Sequence, residues 1–267
     1  MTWEEIIIDI RTKPEFSDLV KHAYFEENLQ LNLSRFIKSS EFVETLKLLS
    51  GVSKVKNPKL LDIGAGNGIS SVGFALNGYT VTALEPDKSD TIGAGAIRKL
   101  ADANILEGLE VISSYAEEMP FNDNTFNIVY VRQAMHHSYH LQDFLQEISR
   151  VLKVGGILLT VRDHVINDDK GLQEFLVAHP LHKFYGGENA FTLAEYKEAI
   201  EESGLKIQKE LGPLDSPINY FPLNRRNAWR IPLPQILFKP YLAYVKAKTN
   251  NKYADQGRLY SFLAKKI

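Results

Sequence analysis

The chain is 267 residues long, 44% apolar and 24% charged, with a formal net charge of −2. These values describe a globular protein able to bury a full core, and they exclude one that finds nucleic acid through overall positive charge. There is no cysteine, which excludes disulfides, thiolate catalysis and cysteine-ligated metal.

Met1 to Arg11 carries acids and no long apolar run, so it does not read as a signal peptide, and no stretch reaches the length of a membrane span. A cytoplasmic location is expected. The N-terminal part reads as helical: 16–24 and 36–49 both repeat apolar residues at three- and four-residue steps. A polar stretch, 54–58, ends in Pro58. From Lys59 short apolar strands alternate with amphipathic helices. Strands are predicted at 60–63, 80–84, 109–113, 126–131 and 157–162. Helices are predicted at 69–76, 91–102 and 141–151, the last closed by Lys153-Val154-Gly155-Gly156. Such alternation predicts parallel strands with crossover helices, and continuous apolarity in the strands predicts a sheet covered on both faces.

Residues 165–190 break this rhythm with Asp168-Asp169-Lys170-Gly171 and Gly186-Gly187-Glu188-Asn189 around a short helical piece, the pattern of a lid or substrate insertion. Thr192 then caps a helix to Ser203, with Glu195 completing a capping box. Strands are predicted at 205–210 and at 258–265, the latter as an antiparallel edge. The expected organisation is a single domain: a helical cap at 1–53, a cofactor-binding core at 54–164, a lid at 165–191, and a remainder at 192–267 that contains a basic, aromatic insertion at 212–256.

The most informative stretch is Leu60-Leu61-Asp62-Ile63-Gly64-Ala65-Gly66-Asn67-Gly68-Ile69-Ser70. A strand runs into a turn with glycine at every second position, and a helix follows. Glycine permits the tight turn and close backbone approach, and a helix start offers free N–H groups. A dinucleotide fingerprint would place its third glycine where Ile69 stands and does not call for Asp62.

Asp62-x-Gly64-x-Gly66-x-Gly68 resembles the first motif of the class I S-adenosylmethionine-dependent methyltransferases. Val81 to Asp87 is similar to that family's second strand, and the resemblance implies that Glu85, followed by Pro86, accepts both ribose hydroxyls of the cofactor. A carboxylate has the lone pairs to match a cis-diol. Ser114 to Phe121 is similar to the adenine-contact segment, with Tyr115 replacing an expected Asp; Tyr115, Ala116 and Glu117 are the implied contacts. Phe126 to His137 resembles the fourth-strand motif, which places Arg132 and Gln133 beside the methionine part. Val151 to Leu158 is similar to the turn before the fifth strand, with Val154 in place of the usual proline. The likeness covers about residues 59–162 well and 192–210 loosely. It implies S-adenosyl-L-methionine as cofactor, bound by Asp62, Gly64, Ala65, Gly66, Gly68 and the residues just named. The implied fold is α/β: a Rossmann-like, seven-stranded, mostly parallel sheet with helices on both faces, plus the helical cap and lid insertions.

Ligands of open α/β sheets bind at the carboxyl ends of strands, which selects Arg132, Gln133, His136 and His137 after the fourth strand and Arg162, Asp163 and His164 after the fifth. His164 and His136 are the candidate catalytic bases, needed where the acceptor must lose a proton. Asp163, His182 and Tyr185 are candidate substrate contacts. His179 and His182 have a spacing that suggests metal, but without acids clustered at ligand spacing no metal is expected. From Pro217 to Ala254 there is no acid, while Arg225, Arg226, Arg230, Lys239, Lys246, Lys248 and Lys252 interleave with apolar residues. This makes 225–252 a candidate contact for a membrane surface or an anionic substrate. The expected function is methyl transfer to a small-molecule acceptor, at oxygen or carbon rather than nitrogen, with no nucleic-acid partner. The alternatives are an NAD(P)-dependent oxidoreductase and a non-catalytic cofactor- or partner-binding module.

Overall fold

A computed structural model describes residues 1–222 and 258–267. Four helices precede the sheet: α1 (Trp3–Arg11), α2 (Ser17–His22), α3 (Leu29–Ile37) and α4 (Ser40–Val52). The single helix expected at 36–49 is two. Ser39 adopts an extended backbone and its Oγ accepts from the Phe42 N–H at 3.1 Å, so a cap interrupts an otherwise continuous apolar period. Helix α1, within the expected helical cap but not singled out there, starts at a Thr2–Glu5 capping box and buries Ile6, Ile7 and Ile10.

The alternating core follows: β1 (Lys59–Ile63), α5 (Ile69–Ala75), β2 (Thr80–Leu84), α6 (Ala94–Ala103), β3 (Glu110–Ile112), β4 (Phe126–Arg132), α7 (Leu141–Val151) and β5 (Leu152–Ile166). Beyond it lie α8 (Asp169–Ala178), α9 (His182–Tyr185), β6 (Phe191–Thr192), α10 (Leu193–Glu202), β7 (Leu205–Leu211), α11 (Pro217–Tyr220) and β8 (Arg258–Lys266). The strand order is β3-β2-β1-β4-β5-β8-β7, with β6 paired to β5. β1 to β6 pair in parallel, and β8 runs antiparallel to β5 and β7. The architecture is therefore the expected mostly parallel α/β sheet, with eight strands instead of seven because β6 is added. The capping box of α10 forms as expected, from Thr192 and Glu195.

Two strand expectations change. β8 is not an edge: it lies between β5 and β7, with Phe262, Leu263 and Ala264 fully buried, while β7 exposes Lys206, Lys209 and Glu210 and forms the edge. β5 is far longer than 157–162, absorbing the 153–156 turn and running to Ile166. Arg162, Asp163 and His164 thus lie within a strand rather than after it, and the expected boundary at 164/165 falls inside β5. A register irregularity between Thr160 and Asp163 accompanies a left-handed Arg162 (φ +64°). Such a bulge re-aims side chains beside a site. Apolar clusters cover both sheet faces. Among the described residues no helix is long and apolar enough to cross a membrane. The basic segment 225–252 lies outside the described residues, as does most of the 212–256 insertion.

Candidate cofactor and acceptor site

Gly64, Gly66 and Gly68 all have positive φ, at 65°, 55° and 82°, a backbone that side-chain-bearing residues rarely adopt. Space is as restrictive as conformation. A Cβ on Gly64 would lie 2.6 Å from the Cβ of Ala134, and one on Gly68 would lie 3.0 Å from the Cα of Ile97 in α6. The first contact ties the loop to the segment after β4, and the second seats it on the next helix.

Two acids hold the loop. Asp62 is buried, and one of its oxygens accepts from Ser70 Oγ and Ser71 Oγ, both at 2.6 Å, fastening the end of β1 to the first turn of α5. Burial pushes its pKa up to about 6 against those two bonds. Glu85 lies just past β2. Its Oε2 accepts the Gly66 N–H at 2.7 Å and its Oε1 the Asp87 N–H at 2.9 Å. Burial pushes Glu85 up to about 7, opposed by these two hydrogen bonds. The acid expected to meet a ribose is thus also the clamp that positions Gly66. Each of its oxygens keeps a second lone pair for a diol. Above the loop, Asn67 Nδ2 donates to the Tyr24 carbonyl at 2.7 Å, so the N-terminal helices close over it.

The other expected cofactor contacts are distributed unevenly. Ala116 packs against the core, Glu117 is half-buried, and Tyr115 is 70% exposed. Pro86 is exposed beside Glu85. Gln133, at φ +51°, donates its N–H to the Val161 carbonyl. Arg132 is committed elsewhere: its Nε and Nη2 donate to the two oxygens of Glu41 on α4, at 2.6 and 3.2 Å. Glu41 is fully buried, and the cations Arg132 and Arg162 overcome the upward push of burial to hold its pKa below the ordinary value. Arg162 Nη1 donates to the carbonyls of Ile218 at 3.0 Å and Phe221 at 2.7 Å, anchoring the segment around α11. These arginines join the cap, the sheet and α11. Sequence reasoning passed over Glu41, whose only signal was an acid on the face of a helix that otherwise points into the core.

The candidate histidines after β4 and in β5 do converge. His136, in a short 3-10 turn at Met135–His137, is buried; its Nδ1 lies 3.1 Å from Asp163 Oδ1, which also accepts the His136 backbone N–H at 3.3 Å. Its Nε2 lies 3.7 Å from Glu188 Oε2. His137 is exposed, and its Nδ1 lies 3.1 Å from the Gly187 carbonyl oxygen. The His164 ring sits 4.9 Å from that of His136 and 5.9 Å from that of His179, centroid to centroid. Burial would raise the Glu188 pKa, but the close approach of His136, together with His137 and His179, outweighs it and holds Glu188 down, at about 2. Asp163, expected as a substrate contact, is fully buried and serves His136. His182 is half-buried with an unpartnered Nδ1, and Tyr185 stays exposed with its ring 5.6 Å from Trp3 of α1. Glu188 had no role in the sequence reading. A glycine pair is its only local signal, and its meeting with His136 is tertiary.

Residues 61–160 match the family model described as a methyltransferase domain. The chain is 32% identical over 125 residues to the uncharacterised methyltransferase YcgJ of Bacillus subtilis, covering 44% of this chain and 45% of that protein. It is 36% identical over 102 residues to the ubiquinone/menaquinone biosynthesis C-methyltransferase UbiE of Blochmanniella floridana, covering 38% and 40%. The chain therefore spans under half the length of these relatives. Among solved structures it resembles the geranyl diphosphate C-methyltransferase of Streptomyces coelicolor, determined with S-adenosyl-L-homocysteine, at TM-score 0.59 and 15% identity over 84% of this chain and 78% of that one.

Proposed function

From the match of residues 61–160 to the methyltransferase-domain family model, we propose that this protein is a class I S-adenosylmethionine-dependent methyltransferase that transfers a methyl group to a small-molecule acceptor. The observation that carries the reading is the assembled loop. Three left-handed glycines are held by Asp62 on one side and by Glu85, through the Gly66 N–H, on the other. The residues fit the cofactor: Glu85 offers two carboxylate oxygens to a diol, a Cβ at Gly64 would displace Ala134, and one at Gly68 would press on Ile97. The cofactor supplies an activated methyl on a sulfonium, so the chain's contribution is alignment and electrostatics.

Gly64 against Ala134 brings the loop next to the 135–137 turn, which supports reading the histidine cluster as the acceptor side. Where the acceptor must lose a proton, the imidazoles of His136 and His164 are the groups available, with Asp163 orienting His136. Carbon is favoured as the accepting atom, since UbiE and the geranyl diphosphate enzyme are both named as C-methyltransferases; oxygen is the runner-up. The family match lends nothing to the oxidoreductase alternative. The test is incubation with methyl-labelled S-adenosylmethionine and a panel of enolisable, phenolic and isoprenoid acceptors. Label transfer to one class supports the reading. Tight binding of NAD with none of S-adenosylmethionine refutes it.

A further inference from the structure

Two imidazoles and a carboxylate meet at the mouth of this site in a way that proton transfer alone does not require. One ligand-capable atom from each of His136, His137 and Glu188 lies within 4.8 Å of the other two. In both histidines Nδ1 is engaged by an oxygen, which leaves Nε2 as the nitrogen available to a ligand. His137 Nδ1 faces the Gly187 carbonyl, which can only accept, so Nδ1 carries the hydrogen and Nε2 the lone pair. His136 Nδ1 faces the Asp163 carboxylate, which sets the same tautomer. An imidazole that donates one N–H to an oxygen while presenting its other nitrogen is the usual outer support of a metal-ligating histidine.

Glu188 lies between imidazoles without closing a hydrogen bond to either of them. Its oxygens are 3.7 Å from His136 Nε2 and 3.6 Å from His179 Nδ1, and that Nδ1 is buried without a hydrogen-bond partner. An ion about 2.1 Å from each ligand holds the ligand atoms roughly 3.0–3.4 Å apart, so the observed separations need to close by only about 0.3–1.8 Å. The carboxylate has the freedom to do so, because Glu188 follows Gly186 and Gly187, both at positive φ.

We propose that His136 Nε2, His137 Nε2 and the Glu188 carboxylate form a binding site for a divalent transition metal of the zinc class. Two histidines and one carboxylate leave a coordination position open, suited to an oxygen of the acceptor, such as an enolate, a phenolate or a diphosphate. Metal binding stands independently of the methyl-transfer reading; only the use of the open position rests on it. A metal on Nε2 removes His136 as a base and leaves His164, its ring 4.9 Å away, as the candidate for that role.

The test is titration of the chelator-treated, dialysed full chain with Co2+, followed by visible absorption and displaced with Zn2+. One saturable equivalent with d–d bands is expected. His137→Ala and Glu188→Gln should each weaken it by more than about 100-fold, and Asp163→Asn by about 10–100-fold. His137 is partly exposed, so His137→Ala spares the fold, and a thermal melt of each variant reports this directly. Absence of saturable binding by the unaltered chain overturns the proposal. So does binding to a folded His137→Ala that matches the unaltered chain. Either result leaves the labelled-methyl assay free to succeed or fail by itself.

Discussion

With Glu85 taking the ribose as proposed, cofactor affinity should depend on pH in a direction opposite to the stability of the free protein. Its carboxylate is buried, bound to the N–H groups of Gly66 and Asp87 at 2.7 and 2.9 Å, and its pKa is raised to about 7. Ribose hydroxyls donate to the ionised form, so only that fraction binds well. One unit below the pKa about one molecule in eleven is ionised, and one unit above about ten in eleven. The apparent Kd for S-adenosylmethionine should therefore fall about tenfold between about pH 6 and pH 8, roughly 1.4 kcal/mol. Stability of the free protein runs the other way. The folded pKa lies above the ordinary 4.5, so the stabilisation that protonation provides is fully present below about pH 4.5 and is lost as pH rises through about 7. Glu85→Gln is neutral throughout. Its carbonyl can accept one of the two backbone N–H groups, but its amide turns a donor towards the other. Affinity should drop by about 1–3 kcal/mol, roughly 5- to 150-fold, and the pH slope should vanish. Isothermal titration calorimetry across this range reads both quantities. A flat profile in the unaltered chain, together with undiminished affinity in Glu85→Gln, would refute the assignment of Glu85 to the ribose.

Two further substitutions probe the frame around the loop. Glu41→Gln leaves the buried guanidinium of Arg132 without its carboxylate and Arg162 without the nearby charge 3.9 Å away; unfolding in urea should show a loss of about 3–5 kcal/mol. Gly68→Ala places a Cβ at φ +82° and 3.0 Å from Ile97 Cα, so a loss of at least about 1–2 kcal/mol in stability is expected, with weaker cofactor binding in the same titrations. Unchanged stability in Gly68→Ala would mean that the loop relaxes freely and that the close approach to α6 is not needed.

The alternating pattern from Lys59 to Arg162, the glycine loop and the acid after the second strand were all legible in the sequence, for a physical reason. Strand and helix periods are local, and a left-handed turn needs glycine wherever it occurs, so residues a few positions apart suffice to write them. The capping box at Thr192 and Glu195 is equally local. Where the chain had to be read across long separations, the sequence was silent. Glu41 and Arg132 stand 91 positions apart, and nothing near either one announces that the first neutralises the second. The long β5 and its bulge depend on pairing with β8, about a hundred residues further on, and β8 could be recognised as a strand without revealing that β7 would lie outside it. Asp163 and Glu188 reach His136 only through that bulge and through the return of the 179–190 segment. The nature of the loop was thus decided by sequence, because backbone conformation is a property of neighbours. The partners of the buried charges and the composition of the histidine cluster were decided by tertiary structure, because burial forces charges to find partners wherever the fold brings them.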